Sequence, residues 1–232
     1  MANVSGLIEG AMLIGGQSEG VAISVPHGRV VCKSSPINVV HSGYQGSVYG
    51  DVVISPEEMA GGDGEFYPTP DGGWISVTGY GSSIYAGNGV RASALGDESE
   101  VNLDYITQPA EGMRDISACH AFTSGYSSRI NASENVKASM LVATGDQSTI
   151  NAMDTTDNVA FVAGANSQVY LGSDSVLFAA QSPFFVLGEN GAAAIAWHDG
   201  NRKRITVVYA GENGIEAGVD YYLDEHGQVV QA

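Results

Sequence analysis

Residues 125–187 read GYSSRINASENVKASMLVATGDQSTINAMDTTDNVAFVAGANSQVYLGSDSVLFAAQSPFFVL. One phrase returns in this stretch: Gly, two variable residues, Ser, one variable residue, then Ile or Val. It starts at Gly125 (with Ser128 and Ile130), at Gly145 (Ser148, Ile150) and at Gly164 (Ser167, Val169). Gly172 and Ser175 repeat it one residue short, leading straight into Val176. Self-similarity at a short period marks a stacked repeat. A β-branched residue suits a short strand packed on the coils above and below it. A small serine suits a corner, where it bonds nearby backbone, and glycine suits a corner that turns with positive φ. The predicted fold is all-β: a β-solenoid, of the β-helix or β-roll kind, with a C-terminal β-hairpin cap.

Upstream, the phrase recurs at Gly79 (Ser82, Ile84) and Gly96 (Ser99, Val101), and imperfectly at Gly43, where Gly46 replaces the serine. The starts at 79 and 96, and those at 125, 145 and 164, lie 17, 20 and 19 residues apart, room for a coil of two or three short strands. Ile84, Val101, Ile130, Val136, Val142, Ile150, Val169 and Val176 are predicted to point inward. Ile130, Val136 and Val142 recur every six residues, as in a hexapeptide helix, but the other spacings do not, so handedness stays open.

Four regions follow. Residues 1–54 read as irregular N-terminal β rungs. Residues 55–73, SPEEMAGGDGEFYPTPDGG, form an acidic Gly/Pro-rich loop, long enough to be functional or mobile. Residues 74–190 carry the solenoid repeats. Residues 191–232 read as a cap of two hairpins, the first turning over Asp199-Gly200 and the second running from Asp220 to Val230. A terminal unit of different character is expected where a solenoid would otherwise expose strand edges. Helix signals are nearly absent; Pro56–Ala60 is one candidate turn.

Composition agrees. Of 232 residues, 31 are glycine and only 15% are charged, against about 25% in ordinary soluble domains. Twenty-six acids face nine bases, a formal net charge of −17. Such a surface repels nucleic acid and anionic membranes and favours a basic protein surface; it also keeps a Gly- and Val-rich stack in solution. Cys32 and Cys119 stand far apart and outside any metal-ligand spacing. The N-terminus lacks a basic leader, and no run of 18 apolar residues predicts a membrane span, so a cytoplasmic location is expected.

The tail AAAIAWHDGNRKRITVVYAGENGIEAGVDYYLDEHGQVVQA resembles the ending of a group of uncharacterised bacterial and phage repeat proteins. In these, Gly-x-x-Ser or Gly-x-x-Ala repeats precede two closing hairpins. The matching residues are Trp197, Ala210-Gly211, Gly214-Ile215, Tyr222, Leu223 and Gly227. The repeats also resemble the β-roll heads of trimeric autotransporter adhesins. The resemblance covers roughly residues 79–232. It implies a β-roll, a homo-oligomer (dimer or trimer) and a phage or prophage origin, and it carries no active site.

Chemistry-bearing residues are sparse. His27, His41, His120, His198 and His226 show no metal-ligand spacing, and no metal or other cofactor is implied. Cys119 and His120 are adjacent, which places them on opposite sides of a strand and argues against a Cys/His dyad. Acid pairs such as Glu57-Glu58 and Asp97-Glu98, with Trp74, Tyr80, Tyr85 and Tyr105 for stacking, allow a glycan-cleaving groove. No phosphate loop is present. A non-enzymatic role is expected.

Between Gly43 and Ile116, twelve acids face two bases, Arg91 and Arg114. Ordered carboxylates on a rod suit the basic channel of a nucleic-acid-binding enzyme, and with the phage-like cap this suggests an inhibitor of a host defence protein acting by charge mimicry. The candidate contact residues are Asp51, Glu57, Glu58, Asp63, Glu65, Asp71, Asp97, Glu98, Glu100 and Asp104. The alternative reading is a structural or adhesive module of a fibre or virion surface, with Tyr44, Tyr80 and Tyr126 exposed at corners. A further alternative is a solenoid enzyme acting on a glycan.

Overall fold

A computed structural model describes residues 2–5, 11–14, 21–24, 29–32, 37–41, 47–50, 73–87, 89–103, 116–134 and 136–232. All regular structure among them is β, arranged as a two-sheet solenoid. The chain crosses alternately from one sheet to the other, so successive strands of a sheet come from successive coils and pair in parallel. The first sheet runs Ala2–Ser5, Val21–Ser24, Ile37–His41, Gly73–Val77, Val90–Ala94, His120–Thr123, Met140–Ala143, Val159–Val162, Val176–Ala179 and Ala192–His198, then ends on the antiparallel Lys203–Tyr209. The second sheet stacks in the same way from Ala11–Ile14 to Phe184–Val186 and ends on the antiparallel Asp220–Leu223 and Val229–Gln231. Two short strands, Ile116–Ser117 and Val136–Lys137, pair beside the second sheet and give those coils a third side.

The core is thin and lies between the sheets. Ile75, Ala92, Ala121, Leu141, Ala160, Leu177 and Ala193 form one buried column of the first sheet, in register from coil to coil. Large and small residues share this column. Opposite stands a column of larger side chains, Ile84, Val101, Ile130, Ile150, Val169 and Phe185. Small residues on one side make room for branched ones on the other, which is how a core one layer thick reaches native density.

Of the eight residues predicted inward, Ile84, Val101, Ile130, Val136, Ile150 and Val169 are fully buried. Val142 and Val176 are not: each stands on the outer face of the first sheet, and the inward positions beside them belong to Leu141 and Leu177. The phrase locates the second-sheet strand, which begins one residue before its Ile or Val. It does not locate the first-sheet strand, and a one-residue offset in a strand moves every side chain to the other face.

The phrase glycine also has a different reason from the one expected. The glycines stack in a column, Gly79, Gly96, Gly125, Gly145 and Gly164, without φ in the left-handed region. A Cβ on Gly96, Gly125, Gly145 or Gly164 would stand about 2 Å from the carbonyl oxygen of the glycine one coil earlier. Close approach of backbones excludes any side chain there. The left-handed residue is the third of the phrase: Gly81, Glu98, Ser127, Gln147 and Asn166, with φ between 53° and 62°. Four of these left-handed residues donate their amides to the next coil's corner, at Asp97, Tyr126, Asp146 and Ala165, over 2.7–2.9 Å. The phrase serines Ser82, Ser99, Ser128, Ser148 and Ser167 are all fully buried. Ser99, Ser128 and Ser148 donate to the carbonyls of Gly79, Gly96 and Gly125 in the preceding coil. A second polar column runs up the opposite corner: the amides of Cys119, Ser139 and Asn158 donate to the side chains of Ser139, Asn158 and Ser175 in turn.

Candidate functional site

Of the candidate acids, Asp97, Glu98 and Glu100 lie among the described residues; Asp51, Glu57, Glu58, Asp63, Glu65, Asp71 and Asp104 lie outside them. Asp97 and Glu98 are exposed on the Gly-x-x-Ser corner, and Glu100 opens a second-sheet strand. They therefore share one corner. Two of their carboxylates also serve the fold: Asp97 Oδ1 accepts the Tyr126 amide of the next coil at 2.8 Å, and Glu100 Oε1 accepts the Ser83 hydroxyl at 3.1 Å. Asp146 repeats the first contact on the Ala165 amide at 2.7 Å. Acids at this corner are partly cross-coil caps, a role that bare charge counting does not reveal.

The opposite corner carries acids that charge counting passed over. Asp157 and Asp174 are exposed, occupy its left-handed position (φ 56° and 55°) and sit one coil apart; Asp154 and Glu189 are exposed beside them. Their signal is present in sequence as Asp157-Asn158 and Asp174-Ser175, each an acid before a polar residue that immediately precedes a first-sheet strand.

The outer faces of the two sheets differ in kind. On the second sheet the outward column is Tyr85, Asn102, Asn131, Asn151 and Tyr170, with Asn131 Nδ2 donating to Asn102 Oδ1 at 2.8 Å. On the first sheet it is Phe122, Val142, Phe161, Phe178, Ala194 and Val207. Beside it run Trp74, Arg91, His120, Met140, Val159, Val176, Ala192 and Tyr209, so this column is apolar from Met140 onward and carries the exposed Arg91 and His120 before it. The Phe161 and Phe178 rings stack at 5.1 Å and remain 39% and 43% exposed; Ile205 is 70% exposed. A shallow depression of about 350 Å³ lies among Phe161, Ala163, Phe178, Ala180, Ala194 and Ile205. An exposed apolar face of this kind often marks a contact site.

No family model and no solved structure matches this chain. It is similar to the uncharacterized protein YdhT of Escherichia coli (strain K12), at 52% identity over 46 residues. Those residues are 20% of this chain and 17% of that protein, so the chain spans only a small part of the relative's length.

Among the described residues, His120, His198, His226 and Cys119 do not converge; His27 lies outside them. Cys119 is fully buried, with its thiol 3.1 Å from the Gly87 carbonyl, whereas His120 is exposed on the other side of the strand. His198 lies in the cap turn and accepts the Gly200 amide, and His226 lies in the turn before Gly227. Trp74, Tyr80 and Tyr85 stand on the first sheet, the glycine corner and the second sheet, so they form no stacking groove; Tyr105 and Tyr44 lie outside the described residues. Among the described residues no group of three or more His, Cys, Asp or Glu is placed to hold a metal ion, and no helix is long and apolar enough to cross a membrane.

One carboxyl is tuned by its surroundings. Asp199 accepts the amides of Arg202 and Asn201 and the side chain of Arg204, which hold it down at about 2 from an ordinary value of 3.8. A depressed folded-state value means the contribution is present above the ordinary carboxyl range and is lost as pH falls through about 2. The cap turn should therefore open between about pH 4 and pH 2, read as accelerated amide exchange at Asn201 and Arg202. Asp199→Asn should show fast exchange there already at neutral pH; protection unchanged in that variant would contradict the role of the carboxylate.

Proposed function

We propose that the chain is a non-enzymatic interaction module: a stiff solenoid that works by holding the outer face of its first sheet against another macromolecular surface. The observation that carries this is the contrast between the two sheets. Asn102, Asn131 and Asn151, flanked by Tyr85 and Tyr170, line the outside of one, while Phe122, Val142, Phe161, Phe178 and Val207 line the outside of the other. Burying such aromatic and branched side chains contributes about 25 cal/mol per Å². This reading belongs with the structural or adhesive role rather than with catalysis.

A second reading rests on the acids. Asp154, Asp157, Asp174 and Glu189 line one edge of the rod, with coil steps of roughly 4.8 Å. With Glu98 and Glu100 on the other edge, they support engagement of a basic surface, such as the channel of a nucleic-acid-binding defence enzyme, by charge mimicry.

Salt and substitution separate the two. Tagged chain is co-expressed in a bacterial host with untagged chain, and whatever it holds is captured at low and high salt. The apolar reading expects bound material that survives high salt and is lost from Phe161→Glu/Phe178→Glu. Charge mimicry expects bound material that is released by salt and lost from Asp154→Asn/Asp157→Asn/Asp174→Asn/Glu189→Gln. Capture that withstands the phenylalanine changes at high salt rules out the first reading.

A further inference from the structure

We propose that the first-sheet face is covered by a second copy of this chain, the two related by a two-fold axis parallel to the strands so that their stacks run in opposite directions. The inference rests on the reading of that face as a contact surface, and adds its occupant and geometry.

The face suits a like partner despite the chain's charge. Eight adjacent strands, from Gly73–Val77 to Lys203–Tyr209, contribute to it. None of their outward residues is an acid, although the chain has 26. The acids are displaced to the corners, so two copies can approach flat without opposing carboxylates in the contact. At roughly 4.8 Å per strand and 3.3 Å per residue, the face covers about 500 Å² on each copy. Two copies would bury about 1,000 Å², at the lower bound for a specific interface.

Charge sets the direction. The cap turn places Lys203 on the outward side of the last strand, with Arg202 beside it, both exposed. It lies at the glycine-corner edge of the sheet, because Lys203 pairs with His198 at the C-terminal end of the Ala192–His198 strand. Asp97 and Glu98 occupy that same edge next to Val90–Ala94, near the other end of the eight strands. A two-fold axis between Met140–Ala143 and Val159–Val162 sets Val90–Ala94 of each copy against Ala192–His198 of the other. It brings each copy's Asp97 and Glu98 towards the other's Arg202 and Lys203, twice. The same operation sets Val142 against Phe161 and Phe122 against Phe178 at the centre, and the small Ser76 against Val207. Stacks running in the same direction would instead set each glycine corner against the partner's opposite corner and separate these two groups. A self-complementary patch of this kind is the signature of a closed two-fold interface.

The test is sedimentation equilibrium of the full chain, with circular dichroism to confirm the β fold of each variant. The wild type is expected to be a dimer at tens of micromolar and to dissociate on dilution below about 1 µM. Phe178→Glu and, as a second change on a more exposed site, Val207→Glu should each weaken association at least tenfold. Glu98→Lys should weaken it, as should Arg202→Glu/Lys203→Glu, and the three changes together should restore it. A wild type that stays monomeric throughout overturns the proposal. So does a dimer indifferent to Phe178→Glu and Val207→Glu, or a charge swap that fails to restore association. If the wild type is monomeric but another protein is captured in a manner lost with Phe161→Glu/Phe178→Glu, this inference fails while the contact-face reading stands. If neither association depends on the face, both fail.

Discussion

Gly145→Ala is expected to destabilise the chain by roughly 3 kcal/mol or more, beyond the usual range for a surface corner. The added Cβ would stand 2.0 Å from the Gly125 carbonyl oxygen, 2.6 Å from its carbon and 2.8 Å from the Ser124 oxygen. All three are backbone atoms of the preceding coil, so no rotamer change relieves the contact; the coils themselves must separate. Separation lengthens the cross-coil bonds on either side, among them Ser127 N to Asp146 O and Ser148 Oγ to Gly125 O. Because each coil contacts only its neighbours, one spoiled interface divides the stack into two shorter ones. The midpoint of thermal unfolding should fall by about 10 °C. Asn166→Gly, in the left-handed third position of the next coil, should by contrast be neutral or mildly stabilising, since glycine relieves the positive φ of 54°. Equal effects from the two changes would show that the glycine column is not a close-approach column.

Leu141→Asp is the second large effect. Leu141 is fully buried at the middle of the first-sheet column, between Ala121 and Ala160. The substitution removes a side chain that fills the space left by those two alanines, a loss of about 2–5 kcal/mol in itself. It also places a carboxylate in a core one layer thick, with only alkyl groups and serine-lined corners nearby. The group must either neutralise or draw water between the sheets, and both cost several kcal/mol. The expected outcome is loss of the cooperative transition at ambient temperature, read by circular dichroism and by calorimetry. A variant that retains most of the wild-type melting temperature would place Leu141 at the surface.

The fold class was legible because the Gly-x-x-Ser-x-Ile/Val phrase marks one corner and one strand of every coil, and that corner is nearly invariant in its demands. Gly must be bare, Ser must reach a carbonyl, and Ile or Val must fill the core. The second corner has looser demands: Cys119, Ser139, Asn158 and Ser175 all satisfy it, with Ala118, Ala138, Asp157 and Asp174 before them. No single letter repeats there, so the phrase does not locate the first-sheet strand that follows: the six-residue recurrence points Val142 inward and the shortened phrase at Gly172 points Val176 inward, each one residue from the true core position. The same gap concealed the contact face. Its residues appear in sequence as runs such as Met140-Leu-Val-Ala143 and Val159-Ala-Phe-Val162, apolar at every position. A run of that kind reads as a doubly buried strand, and only the coil geometry reveals that one side of it is open. The acids were visible as charge, but their service as cross-coil caps at Asp97 and Asp146 depends on a neighbouring coil 19 or more residues away.

The first-sheet register decides both the core and the contact face, and it is tested most directly by comparing thermal unfolding of Leu141→Asp with that of Val142→Asp, below about 1 µM where copies are separate. The two substitutions place the same group at adjacent positions of one strand, so strand propensity and local charge are nearly matched. If Leu141 faces the core and Val142 faces outward, Leu141→Asp is largely unfolded at ambient temperature while Val142→Asp melts within a few degrees of the wild type. The reverse order, with Val142→Asp unfolded and Leu141→Asp near the wild type, would turn the strand over and contradict the account.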